Sequence, residues 1–257
     1  MTSLPLRFGA ATDRGRVRPI NEDRFVAERD LGFFAVIDGM GGHVSGELAS
    51  ATIADALTAF IHESAGDSDK TWPIGLDPKL SVLANRLQIA IRIANRTLAT
   101  RAQADPALDG SGATLAAVLI AKGEIAVSNV GDCRGYILRN GDMSQVTRDH
   151  SVVAEQLALG LIDPEAARTH PLRHVVTRAV SGQPGMTVDV VELPLAPGER
   201  LILCSDGIHA VLTDKQMAAL FSSPDRPLQE LCDAAIQQTN QRGGPDNATV
   251  IVVEASQ

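Results

Sequence analysis

Three stretches of this 257-residue chain set an aspartate beside Gly or Asn where an apolar run meets a turn: IDGMGGH, CSDGI and GPDNATV. The aspartates are Asp38, Asp206 and Asp246. A strand end is rigid and a turn leaves a carboxylate exposed, so such residues can converge at one edge of a sheet. A fourth acidic pair, Glu22 and Asp23 in PINEDRF, precedes another short apolar stretch. Each piece alone is also a routine polar turn. Together, and without ligand-spaced His or Cys, they point to a hard-cation site, because carboxylate and water oxygens suit magnesium or manganese while zinc prefers imidazole or thiolate.

The bulk composition narrows the partners. A formal charge of −8 opposes phosphate backbones, which makes nucleic acid an unexpected ligand. Converging acids would favour bound cations, although a solvated acidic surface gives the same balance. Cys133, Cys204 and Cys232 have no CxxC spacing, so neither a disulfide framework nor a thiolate zinc site is expected. The leading MTSLPLRFGAATDRGR lacks an apolar signal core, and no stretch approaches the roughly 18 apolar residues of a membrane span. The expectation is a cytoplasmic chain with no membrane partner.

The elements that must hold these acids follow from periodicity. LGFFAVIDG reads as a strand ending at Asp38. SGELASATIADALTAFIHE and the segment from Leu80 to about Arg101 carry apolar residues at helical spacing. The middle third reads as strands broken at Lys122-Gly123, Gly131-Asp132 and Asn140-Gly141, and these strands are expected to be antiparallel neighbours. Ser151 to Gly185 reads as a flap with short helical pieces. Two more strands, TVDVVELPL and ERLILCSD, lead to a helix whose Thr213 and Gln216 make a capping box; a last helix spans about Leu228 to Gln241, and a valine-rich strand ends the chain. Hairpins between long helices predict an α+β layered sandwich in one domain, residues 1–257, rather than a doubly wound parallel sheet.

The series DRGRVRPINED, VIDGMGGH, GSGATL, SNVGDCRGY, TRDHS, TRAVSG, LCSDGI and GGPDNATV, in that order over nearly the whole chain, resembles the metal-dependent protein phosphatase family, also called the protein phosphatase 2C family. The DGMGG form is similar to bacterial members that oppose Ser/Thr kinases of eukaryotic type. The resemblance implies a four-layer α-β-β-α sandwich with two central antiparallel sheets. It also implies two divalent cations, Mn2+ or Mg2+, and a third weaker site.

Residue by residue, the resemblance makes Asp38 the aspartate that bridges the two metals, with the Gly39 carbonyl as a further ligand. Asp206 and Asp246 match the other aspartates of the first metal, and Glu22 matches the acid on the second. Asp132 matches a third-metal ligand; read from the residues alone it is equally a turn residue. Asp23 supports the shell from behind. Arg18, four residues before Glu22, matches the arginine that grips substrate phosphate, for which a guanidinium fork is suited; Arg14 and Arg16 compete for that role. Eukaryotic relatives carry a histidine where Met40 stands. His43 is the nearest imidazole to that position and a candidate proton donor, and also fits a structural place beside the glycine turn.

The implied activity is hydrolysis of phosphoserine and phosphothreonine in proteins, by attack of a hydroxide bridging the metals on phosphorus. A phosphorylated protein, a cognate kinase and its targets are the implied partners, and a monomer is expected. Two alternatives stand beside it: a non-catalytic member that binds phosphoproteins through the same surface, and a hydrolase of small phosphorylated molecules.

Overall fold

Residues 33–37, FFAVI, are buried on both faces, and that fixes the architecture. A strand that alternates two apolar faces must be covered on both sides. Phe33, Ala35 and Ile37 pack into a core shared with helices, while Phe34 and Val36 pack into a core shared with a second sheet. The computed structural model describes residues 5–41, 45–65 and 75–256.

In chain order the elements are β1 (Leu6–Asp13), β2 (Asp23–Glu28), β3 (Phe33–Met40), α1 (Ser45–Glu63), α2 (Val82–Ala104), β4 (Gly112–Ala121), β5 (Glu124–Val130), β6 (Arg134–Arg139) and β7 (Asp142–Gln145). There follow α3 (Val152–Ala158), α4 (Pro164–Thr169), β8 (Asp189–Pro194), β9 (Arg200–Cys204), α5 (Asp206–His209), α6 (Asp214–Phe221), α7 (Leu228–Gln241) and β10 (Ala248–Ala255). One sheet has the order β1-β10-β9-β6-β7 and the other β2-β3-β4-β5-β8, with every named pair antiparallel. Helices α1 and α2 cover the second sheet, and α5 to α7 cover the first. The layers therefore run α-β-β-α, as the resemblance implies.

Local chemistry explains most element ends. Asn140 and Gly141 both take positive φ, the left-handed pair that closes a tight β6–β7 hairpin. The Thr213 hydroxyl accepts from the Gln216 amide and the Gln216 side chain accepts from the Thr213 amide, the expected capping box of α6.

The structure corrects the sequence reading in three places. Gly131-Asp132 is not a hairpin: β5 and β6 lie in different sheets, and the segment between them crosses from one to the other. Strand β1, in the leading segment, was not expected, nor was the single turn of α5 that begins at Asp206.

Candidate active site

The layer between the sheets is apolar through Phe34, Val36, Ala116, Val118, Leu203 and Ile251. Followed two residues at a time toward one end, the same rows become Asp38 on β3, Thr114 on β4, Ser205 after β9 and Thr249 on β10. Asp23 on β2 stands directly across from Asp38, and Asp38 across from Thr114. Like charges opposite each other in a sheet repel, so the fold places two carboxylates where they oppose its own stability.

At that end a cleft of about 510 Å³ opens, lined by Glu22, Asp38, Gly39, Asp132, Asp206 and Asp246. Glu22 and Asp38 come from the β2-β3 sheet; Asp132, Asp206 and Asp246 precede β6, open α5 and precede β10 on the other side. Arg18 lines the rim, half exposed, and its Nη2 donates to Asp246 Oδ2 at 2.8 Å.

Removal from water, with mutual repulsion, pushes these acids up. Asp206 is raised to about 8 by desolvation and then by Asp132, Asp246 and Asp23. Asp38 is held well above the usual carboxylate range by burial and by Asp23, Asp206, Asp132 and Asp246. Burial raises Asp23 and Asp132 to about 6 and moves Glu22 in the same direction. Arg18, raised chiefly by its bond to Asp246, is among the described residues the one cation beside the cleft acids Glu22, Asp38, Asp132, Asp206 and Asp246.

Residues that the sequence reading passed over hold this arrangement. Asn247 is buried; its amide nitrogen donates to the carbonyls of Arg14 and Ile20, and its oxygen accepts from the Glu22 amide at 2.9 Å. Its sequon, Asn247-Ala248-Thr249, therefore serves as a clamp between chain segments. Ser205 donates to Asp23 Oδ2 at 2.8 Å and accepts from the Thr249 amide at 3.0 Å, which ties Asp23 to the start of β10. A Cβ on Gly46 would displace the Glu22 carboxylate from its place, and one on Gly39 would meet the Gly46 carbonyl. Gly207 must lack a side chain, because a Cβ there would collide with the Asn247 backbone carbonyl.

The donor set fits hard divalent cations. Every cleft acid offers oxygen, and Glu22 Oε1 and Asp23 Oδ1 are buried without a hydrogen-bond partner. An orphaned buried carboxylate oxygen is unfavourable unless a cation or proton meets it. Among the described residues no three of these side chains form a closed cage around one point. They stand around a cleft instead, an arrangement that leaves room for water among the ligands, as magnesium requires.

The competing residues separate by position. Arg14 donates to the Pro19 carbonyl and the Arg16 amide to the Gly244 carbonyl, and neither lines the cleft. Asp132 faces the cleft rather than a hairpin turn. His43 lies outside the described residues. Met40 lines the cleft and has no proton to give; among the described residues the imidazole that lines it is His174, from the flap, which the sequence pattern does not mark. His150 is buried, accepting from the Gly131 amide at 3.1 Å while its Nε2 meets Asp189 at 2.9 Å. Cys133 is buried beside Thr114, and desolvation with nearby Asp38 and Asp132 keeps its thiol protonated, so it is no nucleophile.

The protein phosphatase 2C family model matches residues 16–243. The chain is 34% identical over 255 residues to the serine/threonine protein phosphatase PstP of Mycobacterium tuberculosis, covering 98% of this chain and 45% of that protein. It therefore spans under half of that relative's length. It is 35% identical over 250 residues to the serine/threonine phosphatase stp of Listeria innocua, covering 95% of this chain and 93% of the relative. The crystal structure of the Mycobacterium tuberculosis PstP phosphatase superposes with a TM-score of 0.85 at 34% identity, covering 98% of this chain and 99% of that one. A structure of the PstP catalytic domain in complex with two manganese ions superposes with a TM-score of 0.83 at 33% identity, with the same coverage. Among the described residues no helix is long and apolar enough to cross a membrane.

Proposed function

This chain belongs to the protein phosphatase 2C family, and from that premise we propose that it hydrolyses phosphoserine and phosphothreonine in proteins with two divalent cations, manganese or magnesium. The observation that carries the reading is the convergence of Glu22, Asp38, Asp132, Asp206 and Asp246, from separate stretches of chain, on one cleft rimmed by Arg18.

In this reading Asp38, Asp206 and Asp246 would hold one cation, Asp38, Glu22 and the Gly39 carbonyl the second, and Asp132 with Asp206 a weaker third. When bound, the cations neutralise phosphate charge and acidify the water that attacks phosphorus. The raised carboxyl groups would have to give up their protons to hold cations, which would link loading to pH. Arg18 is held by Asp246 with its guanidinium at the rim and donates to the non-bridging oxygens, strongest as charge builds in the transition state. His174 lines the cleft from the flap and is the described imidazole there that would protonate the departing serine or threonine oxygen, which Met40 cannot do. The substrates are phosphorylated proteins, and a cognate Ser/Thr kinase with its targets fits the similarity to bacterial serine/threonine phosphatases. The chain acts as a monomer in the cytoplasm and folds as one unit with the flap at about 151–185.

The test is turnover of an aryl phosphate and a phosphothreonine peptide with manganese. Activity abolished by chelator and by Asp206→Asn is expected. No turnover, or turnover indifferent to both, overturns the reading.

A further inference from the structure

Helix α2, VLANRLQIAIRIANRTLATRAQA, carries four arginines and no acid in a chain of net charge −8. Two of the four are structural. Arg86 donates to the Ile61 carbonyl at 2.6 Å and to Ser64 Oγ at 2.8 Å, closing the end of α1; Arg101 donates to Thr52 Oγ1 at 3.1 Å. Arg92 and Arg96 remain. Four residues apart, they share one face of the helix.

Both line a groove of about 700 Å³ between α2 and the loop that follows Val180, with Asn95, Gly182, Pro184 and Met186. Among the described residues neither guanidinium has an acidic partner, and Arg92 Nε is buried with no hydrogen-bond partner at all. Like charges at this spacing repel, and a buried donor left unpaired costs about 1–3 kcal/mol. An anion lying in the groove removes both penalties.

The groove is built in advance of any ligand. Asn95 Nδ2 donates to the Gln183 carbonyl at 2.8 Å and its oxygen accepts from the Gly182 amide at 2.9 Å, pinning the loop to the helix. Gly182, at positive φ, lies against Ala99 with no space for a Cβ. The same loop leads to the cleft: Val180 and Ala113 exchange backbone hydrogen bonds of 2.9 Å, and Ala113 adjoins the cleft residue Thr114. From Val180 to Gly182, and then up α2 to Arg96 and Arg92, is about four to six residues of extended chain.

We infer that this groove docks an acidic or phosphorylated segment of the substrate polypeptide, about four to six residues from the phosphoresidue being hydrolysed. The inference rests on the phosphatase reading. Two guanidiniums on an otherwise acidic protein suit one short anionic segment and not the long phosphate track of a nucleic acid.

The test uses three substrates with manganese: an aryl phosphate, a phosphothreonine peptide with neutral flanks, and versions bearing a short glutamate run or a second phosphoserine at that spacing on either side. In the wild type one anionic placement should raise kcat/KM about tenfold through KM, and raised salt should remove the gain. Arg92→Gln with Arg96→Gln should abolish the preference while leaving aryl phosphate turnover within about twofold, which also shows that the variant folds. Equal kcat/KM for neutral and anionic peptides, or a preference that survives the double variant, overturns the inference. Should no peptide be hydrolysed, the phosphatase reading fails. The groove is then read from binding of a labelled, unphosphorylated glutamate peptide: affinity lost in the double variant sustains it, and equal affinity or none in the wild type refutes it.

Discussion

Strands β1, β9 and β10 join two charged regions of opposite character. At one end Asp206 and Asp246 face Asp38, Glu22 and Asp132 with Arg18, among the described residues, as their only cleft guanidinium. At the other, Glu254 is buried between Arg7 and Arg200: Arg200 Nε donates to Glu254 Oε2 at 2.6 Å and Nη1 to the Ser223 carbonyl at 2.9 Å, and Arg7 and Phe221 complete the set. Flanking arginines hold Glu254 below the usual carboxylate range, whereas the cleft acids rise to about 6 and about 8. The same residue type thus does opposite work. A carboxylate matched by the chain's own cations stabilises the sheet, and one left unmatched awaits a cation from solution.

The largest expected effect is at the matched end. Arg200→Leu leaves Glu254 buried with only Arg7 and should lower stability by about 3–5 kcal/mol, read by urea unfolding. Turnover per folded molecule should stay unchanged; a parallel loss of activity in the folded fraction would erase the distinction between the ends. Asp38→Asn should do the reverse, cutting kcat/KM about 10²–10³-fold. Because it removes repulsion, the metal-free variant should melt no lower than the wild type at pH 8.

The smallest effect is the one with a sign. Between the unfolded carboxylate value of about 3.9 and folded values of about 6 to about 8, the metal-free folded state holds protons that the unfolded state has lost, so stability falls as pH rises through that window. For Glu254 the folded value is depressed, and its contribution, present above about 4.3, is lost as pH falls below that. Metal-free protein should therefore melt higher near pH 5 than near pH 8. Manganese at a hundredfold its Kd should add about 2.7 kcal/mol and flatten or invert the slope. A metal-free melting temperature that climbs steadily from pH 5 to 8 would contradict the assignment of the cleft acids.

What was legible in the sequence was whatever short-range chemistry determines. Asn140-Gly141 demands positive φ, Thr213 and Gln216 cap one another across three residues, and Asp38 ends a run of apolar residues that only a strand buried on two faces would carry. Gly131-Asp132 was misread because a glycine at φ +100 serves a crossover as readily as a turn, and only pairing partners far along the chain distinguish them. Strand β1 was passed over because LRFGAATD has little apolar alternation; its order comes from eight paired positions against β10. The acids of the cleft could be named in advance by type and motif. Ser205 and Asn247 could not, since nothing in a serine or an asparagine signals that it will bridge segments some 180 to 230 positions apart.

The crossover at Gly131-Asp132 has a mechanical side. Because the acids are divided between the two sheets, the cleft is the gap between two jaws, and its width is set by how the sheets are seated on their shared apolar layer. Reactive constellations tolerate misplacement of only about 0.5 Å. Trimming a methyl group from Val118 or Ile251, which lie in the apolar layer and do not line the cleft, therefore alters the bite as well as the packing, and the middle of the sandwich acts as the gauge for chemistry at its end.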